Sequence, residues 1–143
     1  MITRILTAGL VLGLSAHLQA ETPNIQPGQW EYETRMTVEA PFPVPEQTDS
    51  TTECVTAEDI AKADTFMADL DMEECDVTRE ELRTDGANYE MTCYQDGISV
   101  EMSMDMQFHG DRSEGLITTT AQTPMGPMKS IIRMTGRRIG DCD

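Results

Sequence analysis

Residues 98–109 alternate apolar and polar side chains without interruption, and this period of two constrains the fold more than any other feature of the chain. The apolar set comprises Ile98, Val100, Met102, Met104, Met106 and Phe108. The polar set comprises Ser99, Glu101, Ser103, Asp105, Gln107 and His109. Because successive side chains of a β-strand point to opposite faces of the sheet, the pattern predicts a strand with one buried face and one solvated face.

Other parts of the chain carry similar strand patterns. Residues 29–39 also alternate, with an apolar or neutral set of Trp30, Tyr32, Thr34, Met36 and Val38. The pairs Asp85-Gly86 and Asp96-Gly97 are typical of tight turns that need a positive φ. The patterns together predict strands over residues 29–39, 48–55, 75–83, 87–94, 98–109, 115–121 and 128–138.

A change of period after the second strand indicates one helix. Its apolar positions recur every three or four residues, as Ile60, Ala63, Met67 and Leu70. Thr56 can cap the start of this helix, and Asp59 completes a capping box. Acidic residues near the far end are unfavourable beside the negative end of the helix dipole, so we expect the helix to end near Leu70.

This order of elements predicts a mainly β fold, an antiparallel meander of about seven strands with one helix inserted after the second strand. Strand twist accumulates along such a sheet, and an open flat edge invites aggregation. We therefore expect the meander to curl into a barrel or half-barrel, with the helix plugging or flanking its apolar side.

Residues 1–20 have the pattern of a secretory signal peptide, with Arg4 before an apolar run over residues 5–14 and a cleavage site after Ala20. The mature chain, residues 21–143, is then expected to be a single exported domain. No later apolar stretch approaches the roughly 20 residues that a membrane-spanning helix needs, so we do not expect the chain to span a membrane. Residues 21–27 show no periodic pattern, and we expect them to be disordered.

The sequence contains four cysteines, Cys54, Cys75, Cys93 and Cys142. An even number in an exported chain predicts two disulfides. Three pairings are possible. We favour Cys54 with Cys75, which brackets the predicted helix, and Cys93 with Cys142, which ties the C-terminus to a strand.

The chain is strongly acidic, with a formal net charge of −16 at pH 7. Nucleic acid or an anionic membrane would require a basic patch, and the densest one, residues 133–138, holds only three arginines. A cationic partner is electrostatically favoured. The alternative is that the acidity serves only solubility.

Seven apolar side chains are the candidates for a core or a ligand cavity: Trp30, Tyr32, Met36, Met102, Met104, Met106 and Phe108. Methionine is adaptable, so a curled sheet lined by it could hold an apolar ligand. The alternative is a filled barrel without a cavity. Met102, Met104 and Met106 also resemble the soft ligands of Cu(I), but alternation places them inside and His109 on the opposite face.

Catalysis is not indicated, and we expect no enzyme, catalytic residue, bound metal or cofactor. His109 is the only histidine that remains after cleavage of the signal. The cysteines are assigned to disulfides, and no G-x-S-x-G sequence occurs.

Short motifs in a fixed order resemble an exported bacterial family, domain of unknown function 3617. They are Pro27-Gly28-x-Trp30-Glu31, Cys54-Val55-Thr56-x-Glu58-Asp59, Met91-x-Cys93 and Gly136-x-Arg138-Ile139-Gly140-Asp141-Cys142. The resemblance covers nearly all of the mature chain and implies a periplasmic Gram-negative protein with structural cysteines and no established activity. Family members often carry methionine in the proline-rich loop at residues 41–45, where this chain has Phe42 and Val44.

These observations lead to the expectation of a non-catalytic periplasmic protein that binds an apolar small molecule or lipid. The alternative function is an acidic inhibitor or scavenger of a cationic partner such as lysozyme or an antimicrobial peptide. Cu(I) binding through the methionine strand is a third and weaker alternative.

Overall fold

The computed structural model describes residues 21–62 and 74–143. Its strands are β1 (Gly28–Glu39), β2 (Gln47–Val55), β3 (Cys75–Arg83), β4 (Gly86–Gln95), β5 (Ile98–Phe108), β6 (Arg112–Thr123) and β7 (Gly126–Gly140). One helix, α1 (Ala57–Ala61), follows β2. The predicted signal peptide and the predicted helical positions Ala63, Met67 and Leu70 lie outside the described residues.

All seven strands belong to one antiparallel sheet with the order β2-β1-β7-β6-β5-β4-β3. The predicted mainly β meander is confirmed, and the sheet stays open as in a half-barrel. Consecutive strands from β3 to β7 are neighbours. The chain then returns so that β7 lies beside β1, which leaves β2 and β3 as the two edges of the sheet.

Helix α1 begins at the capping box that the sequence predicts. The Asp59 amide donates to Oγ1 of Thr56 over 3.2 Å, and the Thr56 amide donates to Oδ2 of Asp59 over 2.8 Å. The hydroxyl and the amide of Thr56 both donate to Asp59, and these hydrogen bonds hold the pKa of its carboxyl below the ordinary value. Ile60 is the buried residue of this helix, as its period predicts.

The turn between β4 and β5 has the predicted geometry, whereas the turn between β3 and β4 does not. Asp96 and Gly97 both have positive φ, at 51° and 78°, as a two-residue hairpin of this kind requires. The β3–β4 turn is formed by Thr84 and Asp85, and Gly86 already belongs to β4. Gly86 is needed for another reason, because a Cβ there would collide with the carbonyl oxygen of Met106.

The expectation that residues 21–27 are disordered is wrong. Ile25 forms a parallel β-bridge with Gly110 and packs against the buried side chains of β4 and β5. The amide of Asn24 donates to the carbonyl of Thr84 over 2.7 Å, and the amide of Gly110 donates to the carbonyl of Asn24 over 2.8 Å. The segment is fixed by hydrogen bonds to turns that are distant in sequence, so no local periodicity reports it.

Both disulfides form, but our favoured pairing is wrong. Cys54 bonds to Cys142 and Cys75 bonds to Cys93. The reason is the strand order, since Gln29 of β1 lies between Cys54 of β2 and Gly140 of β7, which brings the C-terminus to β2. Cys75 and Cys93 face each other in the β3–β4 hairpin. Cys54 and Cys75 lie on opposite edge strands.

A small residue at position 136 allows close packing on β7, which predicts a large cost for Gly136→Ala. A Cβ at this position would lie 2.7 Å from Cε1 of Tyr32 and would collide with Oγ of Ser113, which is buried. We expect a loss of about 1–3 kcal/mol in the free energy of unfolding, measured by urea denaturation. Gly140→Ala is the control, because a Cβ at Gly140 meets no atom within 4 Å. Equal stability of the two variants would contradict this packing.

Candidate functional site

The candidate site is the face of the sheet that carries the methionines of β5, which we call the apolar face. The register places Met102, Met104 and Met106 opposite Met91, Tyr89 and Ala87 of β4. On the other side the same three residues lie opposite Thr119, Ile117 and Gly115 of β6. Directly paired residues point to the same face, so the apolar side chains form a continuous surface across these strands.

One end of this face is a packed core and the middle is only partly covered. Ala87, Tyr89, Met91 and Phe108 form a buried cluster. Met102, Met104 and Met106 pack against that cluster but remain partly exposed. In the described part of the chain, strands pack mainly against their neighbours in the sheet, and no second layer of comparable extent contacts the apolar face.

The other end of the apolar face is organised by aromatic side chains of β1. Trp30 is completely buried, and its Nε1 donates to the carbonyl of Gln26 over 2.9 Å. Its ring stacks on Tyr32, with the ring centres 6.0 Å apart. Burial raises the pKa of the Tyr32 hydroxyl above its ordinary value, and the negative charge of Glu53 raises it further.

Residues of the adjacent strands β5, β6 and β7 extend the apolar surface from the methionines to β1. Gly115 has no side chain, and Met106 of β5 and Met134 of β7 both lie over its Cα. Met134 is the direct cross-strand neighbour of Thr34 on β1. The apolar face therefore continues from β5 to β1 through small residues and flexible side chains.

The structure places all seven predicted candidates on this one face, in two separate groups. Trp30, Tyr32 and Met36 lie on β1, and β7 and β6 separate them from the methionines of β5. Trp30 and Phe108 are buried and therefore act as core, whereas Tyr32, Met36 and the three methionines of β5 are partly exposed. Whether the partly exposed residues bind a ligand stays a prediction.

Sequence reasoning missed several members of this face. They are Ile25, Tyr89, Met91, Ile117 and Met134. Tyr89 and Met91 belong to a strand with its own alternation, which was visible in the sequence. Whether they lie on the same face of the sheet as Met104 and Met102 depends on the register between β4 and β5, and that register cannot be read from the sequence.

The opposite, polar face carries ion pairs and shallow depressions. Arg137 donates to Glu31 over 2.7 Å, and Arg79 donates to Glu81 over 2.8 Å. These bonds hold the pKa of the Arg137 and Arg79 guanidinium groups above the ordinary value. A depression of about 780 Å³ lies over β2, β1 and β7, where Arg35 of β1 is the direct cross-strand neighbour of Arg133 of β7.

The residues that the structure describes contain neither a cluster of metal ligands nor a membrane-spanning helix. In residues 21–62 and 74–143, no group of three or more His, Cys, Asp or Glu side chains is placed to hold a metal ion. No helix in those ranges is both long and apolar enough to cross a bilayer. His109 is exposed, while Met102, Met104 and Met106 point to the apolar face. Cu(I) binding remains a prediction that these positions do not favour.

Comparison with known proteins gave one family. The profile described as "Protein of unknown function (DUF3617)" matches residues 25–142, which is most of the chain. No curated protein sequence and no solved structure matches the chain.

Proposed function

Since the chain belongs to the DUF3617 family of proteins of unknown function, we propose its function from its own surfaces: it is a non-catalytic binding protein that holds an apolar small molecule or lipid on the apolar face. The periplasm is the compartment that we propose for it. The two disulfides are compatible with an exported protein, since such bonds persist in oxidising compartments.

The observation that carries this proposal is the partial exposure of Met102, Met104 and Met106 beside a buried apolar floor. Apolar surface in contact with water is unfavourable, and contiguous exposed apolar patches are typical of binding sites. A ligand that covered the three side chains would remove this surface from water. Methionine suits such a surface because its unbranched side chain adjusts to ligands of different shape.

Polarity along the same face supports an apolar ligand with few polar contacts. The residues of β6 opposite the methionines are Gly115, Ile117 and Thr119, and none of them carries a charge. The charged residues of β5, Glu101 and Asp105, point to the polar face instead. Beside the methionines the apolar face therefore offers dispersion contacts, whereas its carboxylates lie on the edge strands, Glu80 on β3 and Asp49 and Glu53 on β2.

Native mass spectrometry of the protein purified from periplasm tests the proposal. We expect the wild type to carry a co-purifying hydrophobic molecule, and we expect Met104→Lys to lose it, because the new ammonium group would be desolvated by a bound apolar ligand. Ser103→Lys is the matched control, since it adds the same charge one position away on the polar face. A wild type without any adduct, or equal adducts in the two variants, would overturn the proposal.

A second candidate function is the binding of a cationic partner by the acidic surface. Most basic side chains already have acidic partners; those in ion pairs are Arg35, Lys62, Arg79, Arg83, Arg112, Arg137 and Arg138. Acidic residues outnumber basic ones by 26 to 10, so a large excess of carboxylates remains. Association with a cationic protein or peptide would weaken as ionic strength rises.

A further inference from the structure

Strand β2 is an edge strand whose outer side has no partner in the described part of the chain. It lies at the end of the sheet order, and β1 pairs with its inner side. The register with β1 runs without a shift from Gly28 opposite Val55 to Met36 opposite Gln47. Every residue from Gln47 to Cys54 is exposed. An ordered row of backbone donors and acceptors therefore faces outward.

This edge lacks several of the devices that usually prevent strand addition. Natural edge strands are protected by charged side chains, especially lysine, by proline, by a bulge or by short length, and of these β2 has only the acidic residues Asp49 and Glu53. Strand β2 spans 9 residues and contains no proline and no lysine, and its pairing has no bulge. The disulfide between Cys54 and Cys142 ties one end of β2 to the C-terminal tail, which keeps the strand in place.

The opposite edge shows the contrast. Strand β3 has a register shift between Val77 and Arg79, and it carries the basic residues Arg79 and Arg83. A bulge twists an edge away from an incoming strand, and charges of both signs disfavour a uniformly charged partner. Strand β2 is thus the edge that is suited to pairing.

The charges of β2 exclude a second copy of this chain as its best partner. If β2 paired with itself along its full length in the antiparallel sense, Thr51 would face Thr51 and Asp49 would face Glu53 on both sides of the centre. Like charges directly opposite each other destabilise a strand pair. A strand with basic residues at those two positions would gain two favourable pairs instead.

We propose that the outer edge of β2 binds an extended cationic peptide segment by strand addition, with basic side chains opposite Asp49 and Glu53. This inference rests on the second candidate function, and it names the surface, the conformation of the partner and the spacing of its basic residues. Asp49 and Glu53 point to the same face of the sheet, because Thr34 and Trp30 are their respective neighbours on β1. The basic residues of the partner should therefore lie four positions apart on one side of its strand.

The test uses a synthetic peptide of the same length as β2, with threonine and valine in alternation and lysines four positions apart. A control peptide of identical charge carries N-methyl groups on alternate amides, which removes the donors that strand addition needs. We expect the control to bind at least about tenfold more weakly in calorimetric titrations, since several backbone hydrogen bonds are lost. We also expect the amide NMR signals of residues 47–55 to respond only to the unmodified peptide.

Protein variants test the role of the two acids. We expect the double variant Asp49→Asn with Glu53→Gln to bind the unmodified peptide about three- to tenfold more weakly than the wild type does. The double variant Glu101→Gln with Glu114→Gln removes the same charge from the polar face, and its affinity should stay within about twofold of the wild-type value. Equal binding of the two peptides would overturn strand addition while leaving a cationic partner supported. Absence of binding by both peptides at low ionic strength would overturn the inference together with the second candidate function.

Discussion

Replacing Trp30 with alanine is expected to remove about 3–5 kcal/mol from the free energy of unfolding, the range for truncation of a large buried aromatic side chain. Trp30 has no exposed surface, stacks on Tyr32 and donates a hydrogen bond to Gln26. The indole therefore joins β1 to the N-terminal segment that packs on the apolar face. Its loss leaves a cavity and removes the hydrogen bond to the carbonyl of Gln26.

Urea denaturation followed by circular dichroism measures this loss, because the variant has no tryptophan fluorescence. Tyr94→Ala is the control, since Tyr94 is 54% exposed and its removal should change the stability by less than about 1 kcal/mol. Trp30→Phe should fall between the wild type and the alanine variant. A Trp30→Ala variant as stable as Tyr94→Ala would contradict the packing described for this end of the apolar face.

Removal of the disulfide between Cys54 and Cys142 is expected to destabilise the protein more than removal of the other disulfide. The first bond closes a separation of 88 residues and the second a separation of 18 residues. On the chain-entropy account the two bonds contribute about 4.6 and about 3.2 kcal/mol, because the longer loop restricts the unfolded chain more. The first bond also fixes the edge strand β2 to the C-terminus.

Paired alanine variants, Cys54→Ala with Cys142→Ala and Cys75→Ala with Cys93→Ala, give this comparison in urea denaturation under non-reducing conditions. Peptide mapping of the unreduced wild type checks the pairing itself. Fragments that join Cys54 to Cys75 would contradict the strand order as well as the pairing, because β2 and β3 are opposite edges of the sheet. A larger loss for the Cys75 and Cys93 variant would contradict the loop-length account.

Local patterns predicted the strands and their faces well. The alternation through Met102, Met104 and Met106 placed these side chains on one face, and the structure confirms it. The capping box of Thr56 and Asp59 was also correct, since both residues act within one turn of chain. In each case the determining contacts lie within a few residues, so the sequence alone contains them.

Features that depend on distant parts of the chain were not predicted. The return of β7 to β1 decides which cysteines meet, and no residue near Cys54 or Cys142 signals that return. The N-terminal segment is held by Thr84 and Gly110, and its own sequence shows no period. For the candidate site, the face was predictable, whereas the cluster formed with Tyr89 and Met91 required the register between β4 and β5.

NMR of isotope-labelled methionine methyl groups tests whether an apolar ligand binds over Met102, Met104 and Met106. Dodecanol, which has a simple alkyl chain and no charge, serves as the probe. We expect saturable shifts of the three methyl signals and no shift of Met125, which is 66% exposed in the turn between β6 and β7. Unchanged signals of Met102, Met104 and Met106, or equal shifts at Met125, would contradict such binding.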